Sequence, residues 1–316
     1  MAANPDAVTV FAPAKINLFL HVGNRRDDGY HALQSLVVFT TVGDEVQARR
    51  SDELSCSLSG PFSSSLSGEQ DNLMLRAARV LAVKTGMTSG AQLSLTKNLP
   101  VASGIGGGSA DAAATLRALW SIWGLARAGD EVIRTPMSPS AFRKRREMFD
   151  AALEVGSDVP VCLLSSTAWM EGRGEIVYPL SDLPPVAMVL INPGIAVPTG
   201  SVFARLKHRT GAAEMIPHYA HSAVELVEYL KGARNDLEVP ACEIAPPISA
   251  VLDALQHSGA MLARMCGSGA TCYGIFSNRS EADGAAQRLS AAQPSWWVSA
   301  TEIAPFSIGM PRPVVI

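Results

Sequence analysis

The sequence predicts an α+β fold made of two domains, and three observations lead there. The chain has 316 residues, more than one typical hydrophobic core organises. Strand-like and helix-like runs are interleaved along its whole length with no internal repeat, an order that suits sheets covered by helices on one face. At its centre a short apolar strand ending at Lys97 runs into a glycine-rich loop, and the loop runs into an alanine-rich helix that continues to Leu119 and beyond.

The elements follow in order. From Ile16 to Val22, the apolar Ile16, Leu18, Leu20 and Val22 alternate with Asn17, Phe19 and His21, the period of a half-buried strand. Ala12, Pro13 and Ala14 mark a break before it, so Lys15 and Asn17 are expected where a strand enters from a loop. Residues 24–29 form a polar turn leading to Tyr30 and His31; 33–41, 46–50 and 54–58 read as strands. The Ser- and Gly-rich stretch 59–68 reads as a surface loop. Asp71 is a candidate cap for a helix with Leu73, Ala77, Val80 and Leu81 on one face. Ala91–Lys97 is the strand feeding the glycine loop and Ala110–Trp123 the helix leaving it. Segment 126–142 is irregular, with Pro136 and Pro139, and leads into a basic helix over 143–152. A second glycine turn at 156–160 precedes a strand pair reaching Val177. Leu183, Pro184 and Pro185 mark the domain junction, dividing the chain into 1–185 and 186–316. Beyond it strands are expected at 186–191, 261–265, 272–276 and 296–302, and helices at 199–208, 221–231, 247–257 and 281–291.

Composition limits the function. With 47% hydrophobic and 17% charged residues the chain has ample core material. Its formal net charge of −3 offers no electrostatic footprint for nucleic acid. The five cysteines are odd in number and contain no C-x-x-C pair, which suits buried thiols in a reducing compartment better than a disulfide framework or a zinc site. Lys15 interrupts the first hydrophobic segment, and no apolar run approaches the roughly 20 residues of a membrane span, so a cytoplasmic protein with no membrane partner is expected.

The loop Ser103–Ser109 reads as an anion cradle. Gly104, Gly106, Gly107 and Gly108 let the backbone bend through positive φ and approach a ligand closely. A helix starting near Ser109 then aims its free N–H groups and positive dipole end into the loop. The spacing is neither a P-loop nor Gly-x-Gly-x-x-Gly, and plain helix–strand packing is the alternative meaning of such a turn. If the loop holds a phosphate-bearing ligand, transfer to an alcohol needs a cation and a base near the accepting hydroxyl. Lys15 and Asp158 are the candidates, each beside a backbone break. The competing readings are a solvated lysine at a strand start and a turn-capping carboxylate. A third glycine loop, Cys266–Ala270, offers further backbone donors or is simply a tight hairpin. Asp111, in the first turn of the loop's helix, reads as a complement to the helix dipole.

Taken together, Pro13–Leu18, Asp28–His31, Pro100–Asp111, Gly156–Pro160, Ala233–Glu238 and Gly267–Ala270 resemble, in order and over nearly the whole chain, the galactokinase, homoserine kinase, mevalonate kinase and phosphomevalonate kinase superfamily. The Ala-Lys-Ile-Asn-Leu and Asp-Gly-Tyr-His segments narrow the resemblance to its 4-diphosphocytidyl-2-C-methyl-D-erythritol kinase family. The resemblance implies an N-terminal domain like domain 2 of ribosomal protein S5, which binds ATP and carries the glycine loop. It also implies a ferredoxin-like C-terminal domain that binds substrate, with the active site in the cleft between them. The implied activity is ATP-dependent phosphorylation of the 2-hydroxyl of the cytidine-diphosphate-linked methylerythritol, with Mg2+ expected and a monomer or weak homodimer as the working form. Matching motifs place Lys15 and Asp158 on the catalytic pair. Asn72, Lys97, Pro100, Val101, Ala102, Ser103, Gly104, Ile105, Gly106, Gly107, Gly108, Ser109 and Ala110 fall on the ATP site. Asn17, Tyr30, His31, Thr199 and Phe203 fall on substrate contacts, with Tyr30 and Phe203 sandwiching the cytosine and His31 at its edge. Ser109 is a candidate Mg2+ ligand; the remaining ligands are open. Val37, Gly200 and Cys266 depart from the family's usual aromatic residue, proline and Thr or Ser. The run Arg143–Arg146 reads as a solvated face or, alternatively, a phosphate-screening or partner surface. Another small-alcohol kinase of the superfamily, or a non-catalytic nucleotide sensor on the same fold, are the competing functions.

Overall fold

The computed structural model describes residues 6–27, 29–66, 72–125, 139–180, 183–206, 220–305 and 312–313. Asp28, Asp71 and most of the irregular segment expected over 126–142 lie outside the described residues, as do the side chains of 143–145.

The first part of the chain folds as strands β1 (Ala7–Asn17), β2 (His21–Arg25), β3 (His31–Ser51) and β4 (Leu54–Ser59), helix α1 (Leu73–Thr85), strand β5 (Gly90–Thr96), helices α2 (Gly107–Ile122), α3 (Pro139–Val155) and α4 (Val159–Leu164), and a hairpin of β6 (Ala168–Gly172) and β7 (Ile176–Pro179). The second part comprises β8 (Ala187–Asn192), α5 (Thr199–Ala204), α6 (Ala223–Lys231), α7 (Glu238–Ile244), α8 (Pro247–His257), β9 (Leu262–Met265), β10 (Cys272–Ile275), α9 (Arg279–Ala292), β11 (Trp297–Glu302) and β12 (Arg312–Pro313).

Strand β3 is the spine of the larger sheet. It pairs with β1 and β5 along one half and with β2 and β6 along the other, and β12 returns to pair with β1. The two strands expected at 33–41 and 46–50 are therefore one strand of 21 residues. The supposed interruption, Gly43 and Asp44, lies inside it for a steric reason. A Cβ on Gly43 would fall 2.3 Å from the carbonyl oxygen of Ala12 on β1. Opposite it, the register of β1 shifts between Pro13 and Lys15, a bulge that accommodates proline in a strand. The expected break at 12–14 is this bulge, and the strand runs through it to Lys15 and Asn17.

The second sheet runs β11-β8-β10-β9, all antiparallel. In chain order this is 4-1-3-2 with helical crossovers between first and second and between third and fourth strands, the ferredoxin-like arrangement. Helix α7, for which no helix is predicted, begins two residues before Pro240, in the first turn, where a missing N–H costs nothing. One apolar cluster joins the sheets: Ile16, Leu18 and Phe19 pack with Met188, Leu190 and Tyr273. The Tyr273 hydroxyl donates to the carbonyl of Leu18 at 2.6 Å.

A buried ionic network anchors the start of α2 to the sheet. The Lys97 ammonium donates to the carboxyl groups of Asp44 and Asp111, the latter at 2.7 Å, and Asp44 Oδ1 also accepts the backbone N–H groups of Asn98 and Leu99 at 2.6 and 2.8 Å. Asp111 consequently does not complement the helix dipole from the first turn. Helix α2 starts at Gly107, two residues before the expected Ser109, which puts Asp111 beyond that turn and beside Lys97. Burial pushes the Asp111 carboxyl up to about 8, against the pull of Lys97 and with the help of the like-charged Asp44.

Two outcomes are expected. Phe19, fully buried between His21 and Trp169, sits in the cluster shared by both sheets. Phe19→Ala should cost about 3–5 kcal/mol in urea unfolding, in one transition monitored by both fluorescence and circular dichroism; two separated transitions would show that the shared cluster does not couple the sheets. Asp111 supplies the second. Between roughly pH 4, where an unfolded Asp titrates, and about 8, the folded chain holds more protons on this group than the unfolded one. Its contribution to stability therefore falls as pH rises. Asp111→Asn should lose less stability than the wild-type chain on going from pH 5 to pH 8, and equal losses would put the carboxyl back at its ordinary value.

Candidate active site

A cavity of about 660 Å³ opens between the glycine loop, the end of β1, the β6–β7 hairpin and α5. Of the residues predicted for the site, all but His31, Ile105 and Ala110 line it. Its geometry begins with how three loops are held together.

The glycines of the first loop make room mainly for the protein itself. Gly104 has φ +80, and a Cβ there would lie 2.7 Å from the carbonyl oxygens of both Cys266 and Gly269 in the third loop. Gly267 reciprocates, its Cβ position falling 2.5 Å from the carbonyl oxygen of Gly104. Those distances are too short for a side chain, so the two loops pack backbone on backbone, and the N–H of Thr271 donates to the carbonyl of Ser103 at 3.1 Å. Above Gly106 lies the stem of Lys15, and above Gly107 the ammonium of Lys97, each 3.1 Å from the missing Cβ. The tight turn of this loop reaches further: Ser103 Oγ donates to the carbonyl of Pro100 at 2.6 Å, and Ala102 adopts φ +51. Ile105 and Ala110 are buried behind the loop; the carbonyl of Ile105 accepts the N–H of Lys15 at 2.9 Å.

Helix α2 begins directly from this loop, with Gly106 as its cap at φ +64. Ala110 makes the first i to i−4 bond, to Gly106, which leaves the N–H groups of Gly107, Gly108 and Ser109 free of such partners. All three residues line the cavity. A helix end of this kind is an anion site in its geometry and its dipole.

Lys15 and Asp158 meet there. Lys15 Nζ donates to Asp158 Oδ2 at 2.7 Å; the lysine side chain is 4% exposed and the aspartate 36%. Asp158 occupies the N-cap position of α4 but makes no capping bond with its side chain, so the carboxylate belongs to the lysine and the cavity. Burial works most strongly against the Lys15 charge, but the charge and hydrogen bond of Asp158, with Cys162 and Cys266 adding to them, together more than offset it, and the lysine pKa is raised above its ordinary value. The ammonium stays charged at neutral pH.

Beside the pair, Asn17 donates from Nδ2 to Ser35 Oγ at 2.8 Å, while its Oδ1 is buried without a hydrogen-bond partner. The Asn17 N–H donates to Cys266 Sγ at 3.2 Å, and the thiol faces the carbonyls of Gly104 and Lys15 at 3.4 and 3.6 Å. Cys266 thus ties all three segments at one point. Burial pushes its thiol up to about 11, so it remains a neutral hydrogen-bonding group and not a nucleophile.

The aromatic residues are arranged differently from the expected sandwich. His31 lies against Phe203 with ring centroids 5.5 Å apart and planes 25° from parallel, closer than the roughly 7 Å that two successive stacking contacts around a base require. Tyr30 instead carries the Arg173 guanidinium 5.4 Å above its ring. Thr199 Oγ1 and Ser268 Oγ are 2.8 Å apart, joining α5 to the third loop. At the other end of the cavity, Asn72 caps α1 by accepting the N–H of Leu75 at 3.0 Å and contacts Cys56 Sγ through Nδ2. The Lys97 ammonium is committed to its two carboxylates. Of the departures from the family pattern, Val37 is buried in the core and does not line this cavity, and Gly200 faces open space.

Several lining residues are missing from the sequence-based set: Ser157, Arg173, Leu237 and Ser268 among them. Ser157 and Ser268 stand next to residues the motifs already mark. Arg173, in a Gly-Arg-Gly hairpin turn, carries no signal of its own until the hairpin is folded onto the 156–158 turn. Among the described residues, no group of three or more His, Cys, Asp or Glu side chains could hold a metal.

Comparison with known proteins agrees with this architecture. Family models for the N-terminal and C-terminal domains of GHMP kinases match residues 72–166 and 219–295. The 4-diphosphocytidyl-2-C-methyl-D-erythritol kinase of Parvibaculum lavamentivorans is 50% identical over 295 residues, covering 92% of this chain and 96% of the relative. The enzyme of the same name from Ruegeria pomeroyi is 47% identical, covering 92% and 97%. A crystal structure of 4-(cytidine 5'-diphospho)-2C-methyl-D-erythritol kinase superposes with a TM-score of 0.71 at 30% identity, over 94% of this chain and all of that one. Homoserine kinase from Cytophaga hutchinsonii shares the fold, with a TM-score of 0.64 at 17% identity over 96% and 97% of the two chains. With its two-domain α+β fold, the glycine loop at the head of α2 and this degree of identity over nearly its full length, the chain belongs to the 4-diphosphocytidyl-2-C-methyl-D-erythritol kinase family of the GHMP kinases.

Proposed function

We propose that the chain transfers the γ-phosphoryl group of ATP to the 2-hydroxyl of 4-diphosphocytidyl-2-C-methyl-D-erythritol, giving the 2-phosphate. The observation that carries this reading is the Lys15–Asp158 pair, 2.7 Å apart, in the same cavity as the free N–H groups at the head of α2.

Phosphoryl transfer asks the protein for position and charge offset. The triphosphate lies over the 103–109 loop, where the N–H groups of Gly107, Gly108 and Ser109 take its oxygens. The acceptor hydroxyl lies at Asp158, whose carboxylate takes the proton as the hydroxyl oxygen attacks the γ-phosphorus; ADP leaves with the electron pair of the broken P–O bond. Lys15 holds the carboxylate in place and offsets the charge that builds on the transferring group. The buried, unpartnered Oδ1 of Asn17 supports a hydrogen bond to a hydroxyl of the polyol. Tyr30, His31, Thr199 and Phe203 surround the cytidine, at the cost of opening the His31–Phe203 stack. Adenosine is held near Asn72 and Lys97. Because their side chains are engaged elsewhere, base contacts there come from backbone groups and apolar neighbours such as Leu73 and Met74. The part of the chain up to 185 binds ATP, and the part from 186 supplies Thr199 and Phe203 to the acceptor.

Mg2+ takes oxygen ligands, often one or two from the protein and the rest from phosphates and water. The half-buried Ser109 hydroxyl at the head of α2 fits such a role, and the absence of a carboxylate cage among the described residues suits an ion that arrives with the nucleotide. When bound, the ion supplies further charge offset on the triphosphate. On this reading the protein works in the cytoplasm, as a monomer or weak homodimer, without nucleic acid or membrane as partner. Among the described residues no helix is long and apolar enough to cross a membrane.

Asp158→Asn is expected to lower kcat by about 10²–10⁴ in an ADP-release assay, with ATP affinity by titration changed less than about threefold. Turnover at the wild-type rate would remove Asp158 from the chemistry. An acceptor lacking the cytidine moiety should be a poor substrate, and equal kcat/KM with and without it would favour a different small-alcohol kinase.

A further inference from the structure

Three cationic side chains line the cavity: Lys15, Lys97 and Arg173. Two of them are already neutralised by the protein, Lys15 by Asp158 and Lys97 by Asp44 and Asp111. Arg173 is different. Among the described residues its guanidinium meets no carboxylate, and its neighbour is the face of Tyr30 at 5.4 Å. The turn that presents it is fixed from the backbone: the N–H of Arg173 donates to Glu175 Oε2 at 2.5 Å, and Glu175 Oε1 accepts Arg26 Nη1 at 3.3 Å. The turn is also seated on the catalytic side of the cavity. A Cβ on the next residue, Gly174, would lie 3.3 Å from the carbonyl oxygen of Ser157 and 3.6 Å from Asp158 Oδ1. Arg173 therefore stands between Tyr30 and the Asp158 turn.

Resting on the functional reading above, we propose that Arg173 binds the diphosphate of the acceptor. In that substrate the diphosphate links the cytidine to the polyol. With the base at the aromatic residues and the reacting hydroxyl at Asp158, the linking phosphates must cross the space between, which is where Arg173 projects. The other residues assigned to the acceptor, Asn17, Tyr30, His31, Thr199 and Phe203, include no permanent cation, so the two phosphates otherwise face the net negative charge of the bound triphosphate with no offset on their own side. A guanidinium offers several N–H donors in a planar fork suited to phosphate oxygens. Stacking on Tyr30 holds that fork without using its donors.

The test is steady-state kinetics on the full chain with the CDP-linked polyol and ATP varied in turn, for the wild type, Arg173→Gln and Arg173→Lys. Arg173 is half-buried at a turn and, among the described residues, has no carboxylate to strand, so both variants are expected to fold. Arg173→Gln should raise the acceptor KM about ten- to a hundredfold while kcat stays within threefold and the ATP KM within twofold, and Arg173→Lys should recover part of the loss. Added salt should raise the acceptor KM of the wild type more than that of Arg173→Gln. An acceptor KM unchanged within twofold in Arg173→Gln overturns the proposal. So does a rise in the ATP KM in place of the acceptor KM, which would assign the cation to the triphosphate. If the wild type does not phosphorylate this acceptor at all, the functional reading fails and the proposal falls with it; a wild type that turns over normally beside an unaffected variant sinks the proposal alone.

Discussion

The 2.7 Å contact between Lys15 and Asp158 joins residues 143 positions apart in the chain, and much of the molecule is arranged to make it possible. Lys15 reaches the cavity because a bulge at Pro13–Lys15 shifts the register of β1 against Gly43. Its stem fits because position 106 lacks a Cβ. Its charge survives burial because Asp158 faces it, and Asp158 is free to do so because α4 begins without a side-chain cap. A buried ammonium that lost its carboxylate would carry several kcal/mol of uncompensated desolvation. The pair is thus a structural commitment as well as a chemical one.

The same economy governs the rest of the cavity's electrostatics. Lys97 serves two carboxyl groups, those of Asp44 and Asp111, beneath the first turn of α2, so its charge holds the helix start to β3 and does not project toward a ligand. The positive character at the head of α2 comes instead from backbone N–H groups and the helix dipole, which cannot swing away or be neutralised by a neighbouring acid. On the proposed mechanism, rigid backbone donors hold the phosphates, while Lys15 and Arg173 stand where charge changes or where an acceptor needs orienting.

Much of this was legible in the sequence, and the places where it was not have physical causes. The glycine loop, the helix after it and the Lys15–Asp158 assignment rest on local chemistry and motif order, both visible without coordinates. The order of strands and helices in the second half follows from periodicity, apart from α7, hidden by Pro240. The failures concern long-range packing. Two strands were expected where β3 is one, because Gly43 and Asp44 look like a turn until β1 lies across them. Asp111 looked like a dipole complement because its partners, Lys97 and Asp44, are 14 and 67 residues away. The sequence also gives no sign that Gly104 and Gly267 are required by each other. The contact of His31 with Phe203 is long-range too, set by how α5 lies against β3.

The backbone-on-backbone packing of Gly104 against Cys266, Gly267 and Gly269 bears on how such a kinase can be recombined. One loop belongs to the model of the N-terminal domain and the other to that of the C-terminal domain, so the underside of the first glycine loop is packed by the half that carries Thr199 and Phe203. Domain exchange among relatives of this fold would therefore preserve each hydrophobic core and still mismatch the cradle, unless residues 266–271 travelled with the N-terminal half. The unit of inheritance for this packing is a pair of loops from the two domain models, and it does not coincide with either domain.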